Sequence, residues 1–315
     1  MINFYTTTNN KLEQLESLQT FCWINVTPPI SPDEIEYLSD TLQIPHDFFT
    51  DPLDIDERAR YEKEDDIKLI VINTPVLNDG YRNDEAIFIT IPIGLILVND
   101  HVITITNSDN TIIELFIDNK VKNVNVTDVS LFILQIFEQN VFRFLSCLKK
   151  LNLKRNLLEK ELYDSSRNQD LQQLLSIQKS LIYFVNSLSA NELLKMKIKR
   201  TDLLSLKDNE FKYDLFEDLI IDNSQALEMS KIYSNILSST METHSSIISN
   251  NLGMIMQRLT LITIILMVPT VIASFFGMNV PVPMSENNYS FLYIFLGSIL
   301  MSVALAFFFR RKRLL

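Results

Sequence analysis

Two apolar segments near the C-terminus constrain this chain more than any other feature. Residues 259–276 and 289–309 are 18 and 21 residues long and contain no charged side chain. Helices of about 17–25 apolar residues span the hydrocarbon core of a bilayer. Only 12 residues join the two segments, so the pair predicts a membrane hairpin, and its tandem placement argues against a pair of buried core helices. The connector has no Lys or Arg, whereas Arg310, Arg311, Lys312 and Arg313 close the second segment. The positive-inside rule then puts the C-terminus in the cytoplasm, and two spans return the N-terminal body to the same side. The expected location is the cell membrane, multi-pass, with both termini cytoplasmic.

The body has the opposite charge balance. The chain is −11 overall, and the stretch from 259 onward carries +3, which leaves −14 for residues 1–258. Phosphate binding needs a basic face, so nucleic acid is not an expected partner; a body that meets cations is. The N-terminus has no basic segment leading into an apolar one, so no cleaved signal is expected. Cys22 and Cys147 are far apart and read as buried free thiols in a reducing compartment.

Within the body, β-rich runs at 21–26, 67–75, 86–98 and 101–106 indicate an α+β domain with a mixed sheet. Ser31, Pro32 and Glu34 form a capping box with proline at the first helical position, which predicts a helix to about Leu42. From 95 to 252 there is neither glycine nor proline. Helical patterns over 129–164, 169–194 and from Phe211 onward fill most of that stretch. If the last runs unbroken to Phe276 it is roughly 100 Å long at 1.5 Å per residue, a length that calls for bundling with copies of itself or with its neighbours. The expected organisation is therefore an α/β domain (1–127), a helical region with a long stalk (128–258), a first span (259–276), an external loop (277–288), a second span (289–309) and a basic tail (310–315).

One hairpin cannot enclose a pore, so transport would require several copies. The first span has a face suited to one: Gly253, Met256, Leu259, Thr263, Met267, Thr270 and Ser274 step by three or four residues and share one side of a helix. Small and hydroxyl residues also mark helix–helix packing in membranes, and periodicity alone leaves both readings open. Pro269 is ambiguous in the same way, because membrane helices tolerate kinks.

The segment "SFFGMNVPVP" follows, with Gly277-Met278-Asn279 at the outer end of the first span. With the two terminal spans, the cytoplasmic α/β domain and the upstream "NNLGMIMQRLTLITIILMVPT", it resembles the CorA family of magnesium transporters over essentially the whole chain. The resemblance implies a homopentamer in which five first spans line one pore and five stalks continue it as a cytoplasmic funnel. It implies a selectivity filter at Gly277, Met278 and Asn279, the asparagine ring holding a hydrated ion through its waters, since Mg2+ gives up water reluctantly. Glycine there would allow a sharp turn, and Met256 with Leu259 would form an apolar collar that gates by dewetting. By match to the family's patterns, Asp51 and Asp218 would bind regulatory metal between subunits, and Glu242 falls on the pore-facing line of the stalk. No covalent cofactor is implied; Mg2+ would be both substrate and regulator. The chain departs from the family at Gly253, where asparagine is frequent, at Pro269, one residue late, and in a connector whose one acid is Glu286.

Two other functions stay in view: zinc, cobalt or nickel transport within the same family, and a membrane-anchored scaffold whose hairpin is only a tether. An enzyme is not expected, because His46, His101 and His244 lack metal-ligand spacing and no nucleophile motif or phosphate-binding loop stands out.

Overall fold

The computed structural model describes residues 1–8, 11–80, 85–164, 168–278 and 289–312. Its chain divides into two compact units, Met1–Thr240 and Met241–Leu315.

The first unit is built on a seven-stranded mixed sheet. The strands are β1 (Ile2–Thr8), β2 (Lys11–Leu15), β3 (Trp23–Val26), β4 (Arg60–Glu64), β5 (Ile67–Leu77), β6 (Phe88–Val98) and β7 (His101–Ile105), in the order β2-β1-β3-β7-β6-β5-β4. β3 pairs with β7 in parallel, and the other pairings are antiparallel. The central strands are apolar almost throughout because both faces of the sheet are covered. Leu69, Val71, Ile96, Val98, Ile103 and Ile105 pack on one side with α1 (Pro32–Leu42) and α2 (His46–Thr50). Ile70, Ile72, Ile93, Leu95 and Val102 pack on the other with α3 (Thr111–Ile117), α4 (Val129–Asp164), α5 (Asn168–Thr201) and the start of α6 (Glu210–Phe276).

Local sequence accounts for several boundaries. Helix α1 starts at the expected capping box: Ser31 Oγ accepts from the Glu34 N–H at 3.2 Å, and the Glu34 carboxylate accepts from the Ser31 N–H at 3.0 Å. Helix α4 covers the expected span, but α5 runs seven residues past the expected end at Leu194. Strands β1, β2 and β4 and helix α3 were not anticipated by local pattern; β4 (RYEKE) is mostly exposed and has its place from pairing with β5.

Strands β5 and β6 are 11 residues each and overrun their five-residue neighbours β4 and β7 as a two-stranded ribbon. An edge of this kind leaves backbone groups without strand partners. The Asn78 N–H bonds to the Ile87 carbonyl at 2.9 Å, which sets the alternation and points the backbone of Asn73 and Pro75 outward. Proline has no N–H to leave unsatisfied there. Asn73 has its needs met by helices: its N–H donates to Asn191 Oδ1 at 3.0 Å, and its carbonyl accepts from Asn191 Nδ2 at 2.8 Å and Asn140 Nδ2 at 3.1 Å. On β6 the Phe88 N–H donates to Ser180 Oγ at 3.0 Å. These bonds dock α4 and α5 on the sheet at one register. Replacing Asn191 with leucine removes both an acceptor and a donor. Urea unfolding followed by fluorescence of the sole tryptophan, the buried Trp23, should show a loss of about 1–3 kcal/mol. Asn140→Leu should cost less, because the Asn73 carbonyl keeps its bond to Asn191.

The second unit contains the remainder of α6 and the helix α7 (Ser290–Arg311). Both helices are long and apolar enough to cross a membrane. The segment Val129–Lys160 also meets that criterion, but most of its apolar stretch is buried in the first unit, where its side chains cover the sheet.

Candidate ion pathway and metal sites

In the second unit, α6 presents two different faces. Leu261 is buried and Ile265, Val268, Pro269 and Ile272 are half-buried, while Ile294, Ser298, Ser302, Leu305 and Phe309 are the covered positions of α7 that share one side. These are the surfaces the two helices turn toward each other, with Ser302 Oγ within 3.3 Å of the Ile265 carbonyl oxygen. Gly253, Met256, Leu259, Thr263, Met267, Thr270 and Ser274 are all exposed. At 100° per residue, that line lies about half a turn from the face packed on α7. Packing within the hairpin therefore does not account for the small and hydroxyl residues. Of the bulky aliphatics flanking the line, Ile265 faces α7, whereas Ile262, Ile264 and Leu266 are exposed.

Two hydroxyls on this line are oriented by the helix itself. Thr263 Oγ1 donates to the Leu259 carbonyl at 2.8 Å and Thr270 Oγ1 to the Leu266 carbonyl at 3.3 Å. Each has committed its proton to the preceding turn, so what it offers outward is oxygen lone pairs.

Helix α6 ends at Phe276. The Gly277 N–H still bonds to the Ala273 carbonyl at 2.9 Å, and the Met278 N–H reaches the Phe275 carbonyl at 3.5 Å. Among the described glycines only Gly80 has a positive φ, and Gly277 is not in the left-handed region. A Cβ at Gly277 would sit 3.2 Å from the Ala273 carbonyl oxygen, a tight contact. Asn279 and Glu286 lie outside the described residues.

In the first unit, Asp51 opens a 3-10 turn, Asp51–Leu53, that follows α2 directly. Its carboxylate bonds Arg60 Nη2 at 2.6 Å, and the same guanidinium bonds Glu57 at 2.9 Å and also Glu62. Burial pushes the Asp51 carboxyl up from its ordinary range; Arg60 opposes that, and Glu57, Asp47 and Glu62 reinforce it. One cation thus serves a group of carboxylates, leaving excess negative charge. Arg60 is the residue that local pattern missed: nothing in a nine-residue separation says which acids share it. Asp218 is exposed on α6 within the first unit, and Glu242 is exposed on α6 within the second. Among the described residues no three His, Cys, Asp or Glu side chains form a cluster sized for a metal. Cys22 and Cys147 are buried free thiols, with Cys22 Sγ 3.5 Å from His101 Nδ1.

Residues 18–311 match the family described as CorA-like Mg2+ transporter protein. The chain belongs to that family. A curated relative, the cobalt/magnesium transport protein CorA of Methanocaldococcus jannaschii, is 26% identical over 297 residues, covering 92% of this chain and 90% of that protein. The complete structure of the CorA magnesium transporter from the same organism superposes with a TM-score of 0.83 at 23% identity, over 99% of this chain and 98% of that one. The ZntB cytoplasmic domain from Vibrio parahaemolyticus gives 0.61 at 12% identity, over 79% of this chain and 98% of that domain. These structures share this fold, an α+β unit continued by long helices, at low sequence identity.

Proposed function

We propose that this protein is a channel-like transporter that passes hydrated Mg2+ through a homopentameric pore lined by α6, with both termini in the cytoplasm. The observation that carries this reading is the line from Gly253 to Ser274, turned away from α7 and presenting hydroxyl oxygens already oriented by back-bonding. A tether has no use for such a line. A first-shell water on Mg2+ points its hydrogens outward, and acceptor oxygens receive them without stripping the ion. Met256 and Leu259 form the apolar collar, and Gly277, Met278 and Asn279 the outer filter. No ATP is needed, since a divalent ion gains about 4.6 kcal/mol per 100 mV of inside-negative potential.

Regulation follows from the charge of the body. Asp51 of one subunit and Asp218 of the next hold cytoplasmic Mg2+ between them in the closed assembly, and loss of the ion leaves facing carboxylates to repel. The Asp51 carboxylate is already held by Arg60, so the ion must compete with a guanidinium. Glu242 contributes a further carboxylate to the funnel.

The test is Mg2+ entry into sealed liposomes containing the purified protein and a Mg2+-sensitive dye, at inside-negative potential and low internal Mg2+. Wild type should load the vesicles, and Asn279→Ala should reduce the initial rate at least tenfold. Absence of entry with folded, inserted wild-type protein would sink the Mg2+ reading. The name of the archaeal relative favours cobalt as a second cargo, so Co2+ entry measured in the same vesicles distinguishes that reading from a non-conducting anchor.

A further inference from the structure

Pro269 lies inside α6. In an uninterrupted helix the Ile265 carbonyl would accept from the amide of residue 269, and proline has no such hydrogen to give. The carbonyl is thereby orphaned in a segment read as lipid-embedded, where no bulk water can satisfy it and an unmet backbone group costs several kcal/mol. Ser302 of α7 stands opposite. Its hydroxyl is 3.3 Å from the Ile265 oxygen and 3.1 Å from the carbonyl oxygen of Ser298, one turn back on its own helix. The hydroxyl has one proton for two acceptors. The Ser298 carbonyl keeps its own helical donor, the Ser302 N–H, whereas the Ile265 carbonyl has lost its donor, so the larger gain lies across the helices.

We propose that Ser302 is a positioning residue for the pore helix: its hydroxyl replaces the donor that Pro269 removes and ties the break in α6 to α7. The second helix then does more than fill the bilayer. It holds the turn from which Thr270, Ser274 and the Gly277 end continue, while Leu261, Ile265, Val268 and Ile272 keep the same side of α6 against it. The consequence for flux rests on the transport reading above, but the bond itself does not.

The experiment separates the two. A cysteine reporter, Ser274→Cys, is placed in the full-length protein in nanodiscs and labelled with a charged methanethiosulfonate; Cys22 and Cys147 are buried and stay silent. Ser302→Ala should change the labelling rate by about threefold or more, the scale of one interhelical bond in a membrane. Ser302→Thr, which keeps the hydroxyl, should restore the parent rate. In a Pro269→Ala background the helix regains its own donor, and Ser302→Ala should then have no further effect. An unchanged rate in Ser302→Ala, or an equal effect with and without Pro269, overturns the proposal. Mg2+ entry measured on the same variants without the reporter should follow the same pattern. If wild type passes no Mg2+, the transport reading fails while the labelling still decides the role of Ser302.

Discussion

Gly94→Ala should lower the stability of the first unit by about 1–3 kcal/mol, the usual range for overpacking a filled core, and Gly94→Val by more. A Cβ at position 94 would lie 2.5 Å from Pro52 Cγ, 2.7 Å from Pro52 Cβ and 2.7 Å from Ile105 Cγ2. Pro52 belongs to the rigid turn after α2 and Ile105 to the neighbouring strand, so neither is the free end of a flexible chain that moves aside cheaply. The bare backbone of β6 lets Pro52 settle onto the sheet, and Pro52 follows Asp51 directly. The same substitution should therefore disturb the Asp51–Arg60 pair. Urea unfolding monitored through Trp23 checks the first effect, since that side chain is fully buried in this unit. A wild-type midpoint in Gly94→Val would show that the turn is free to lift.

Lys195→Met should be more stable than wild type at pH 7 and lose that advantage as pH rises toward 10. Lys195 is buried among α4, α5 and α6, with Nζ bonded to Asn223 Oδ1 at 2.7 Å and lying 5.8 Å from the Phe137 ring centroid. Burial lowers its pKa from 10.5 to about 7, against the pull of Glu192 on α5 and Asp222 on α6. Glu138 on α4 is itself pushed up by burial, and by Asp222. The unfolded chain keeps the proton up to about 10.5, whereas the folded chain releases it above about 7. The unfolded state therefore binds more protons between those values, and wild-type stability rises with pH through that window. Below about pH 7 both states are charged and the penalty is at its full size, on the order of 5 kcal/mol for a shift this large. Methionine has no charge to bury, but leaves Asn223 Oδ1 without its donor, which costs about 1–3 kcal/mol at any pH. The measurement is the unfolding free energy of both proteins from pH 6.5 to 10. Parallel curves would mean that Lys195 stays charged in the fold throughout, as it does in the unfolded chain.

How much of this was legible beforehand depended on the range of the forces involved. The capping box of α1 and the ends of α4 follow from neighbours a few residues apart, and a long stretch without glycine or proline leaves little but helix. Helix α5 outran its expected end because residues 195–200 (KMKIKR) look like a solvated terminus. In the fold, Lys195 is buried, Lys197 lies over Tyr61 and Lys199 bonds Glu217, so tertiary partners carry the helix on. Strands β1, β2 and β4 were missed for a related reason: their stability comes from the strand beside them. At the candidate site, the line along α6 was visible because a helix has a fixed period, yet whether it packs on α7 was not. The Asp51–Arg60 pair was invisible because it depends on a turn held by a glycine 43 residues further along the chain.

The back-bonded threonines have one more consequence. Water bound to a cation turns its hydrogens outward, while water bound to an anion turns its oxygen outward. Threonines that have already given their protons to the helix can accept from the first kind of hydrate and have no proton for the second. If α6 lines a pore as proposed, it would favour the hydrate of a cation without carrying any charge of its own between residues 259 and 276.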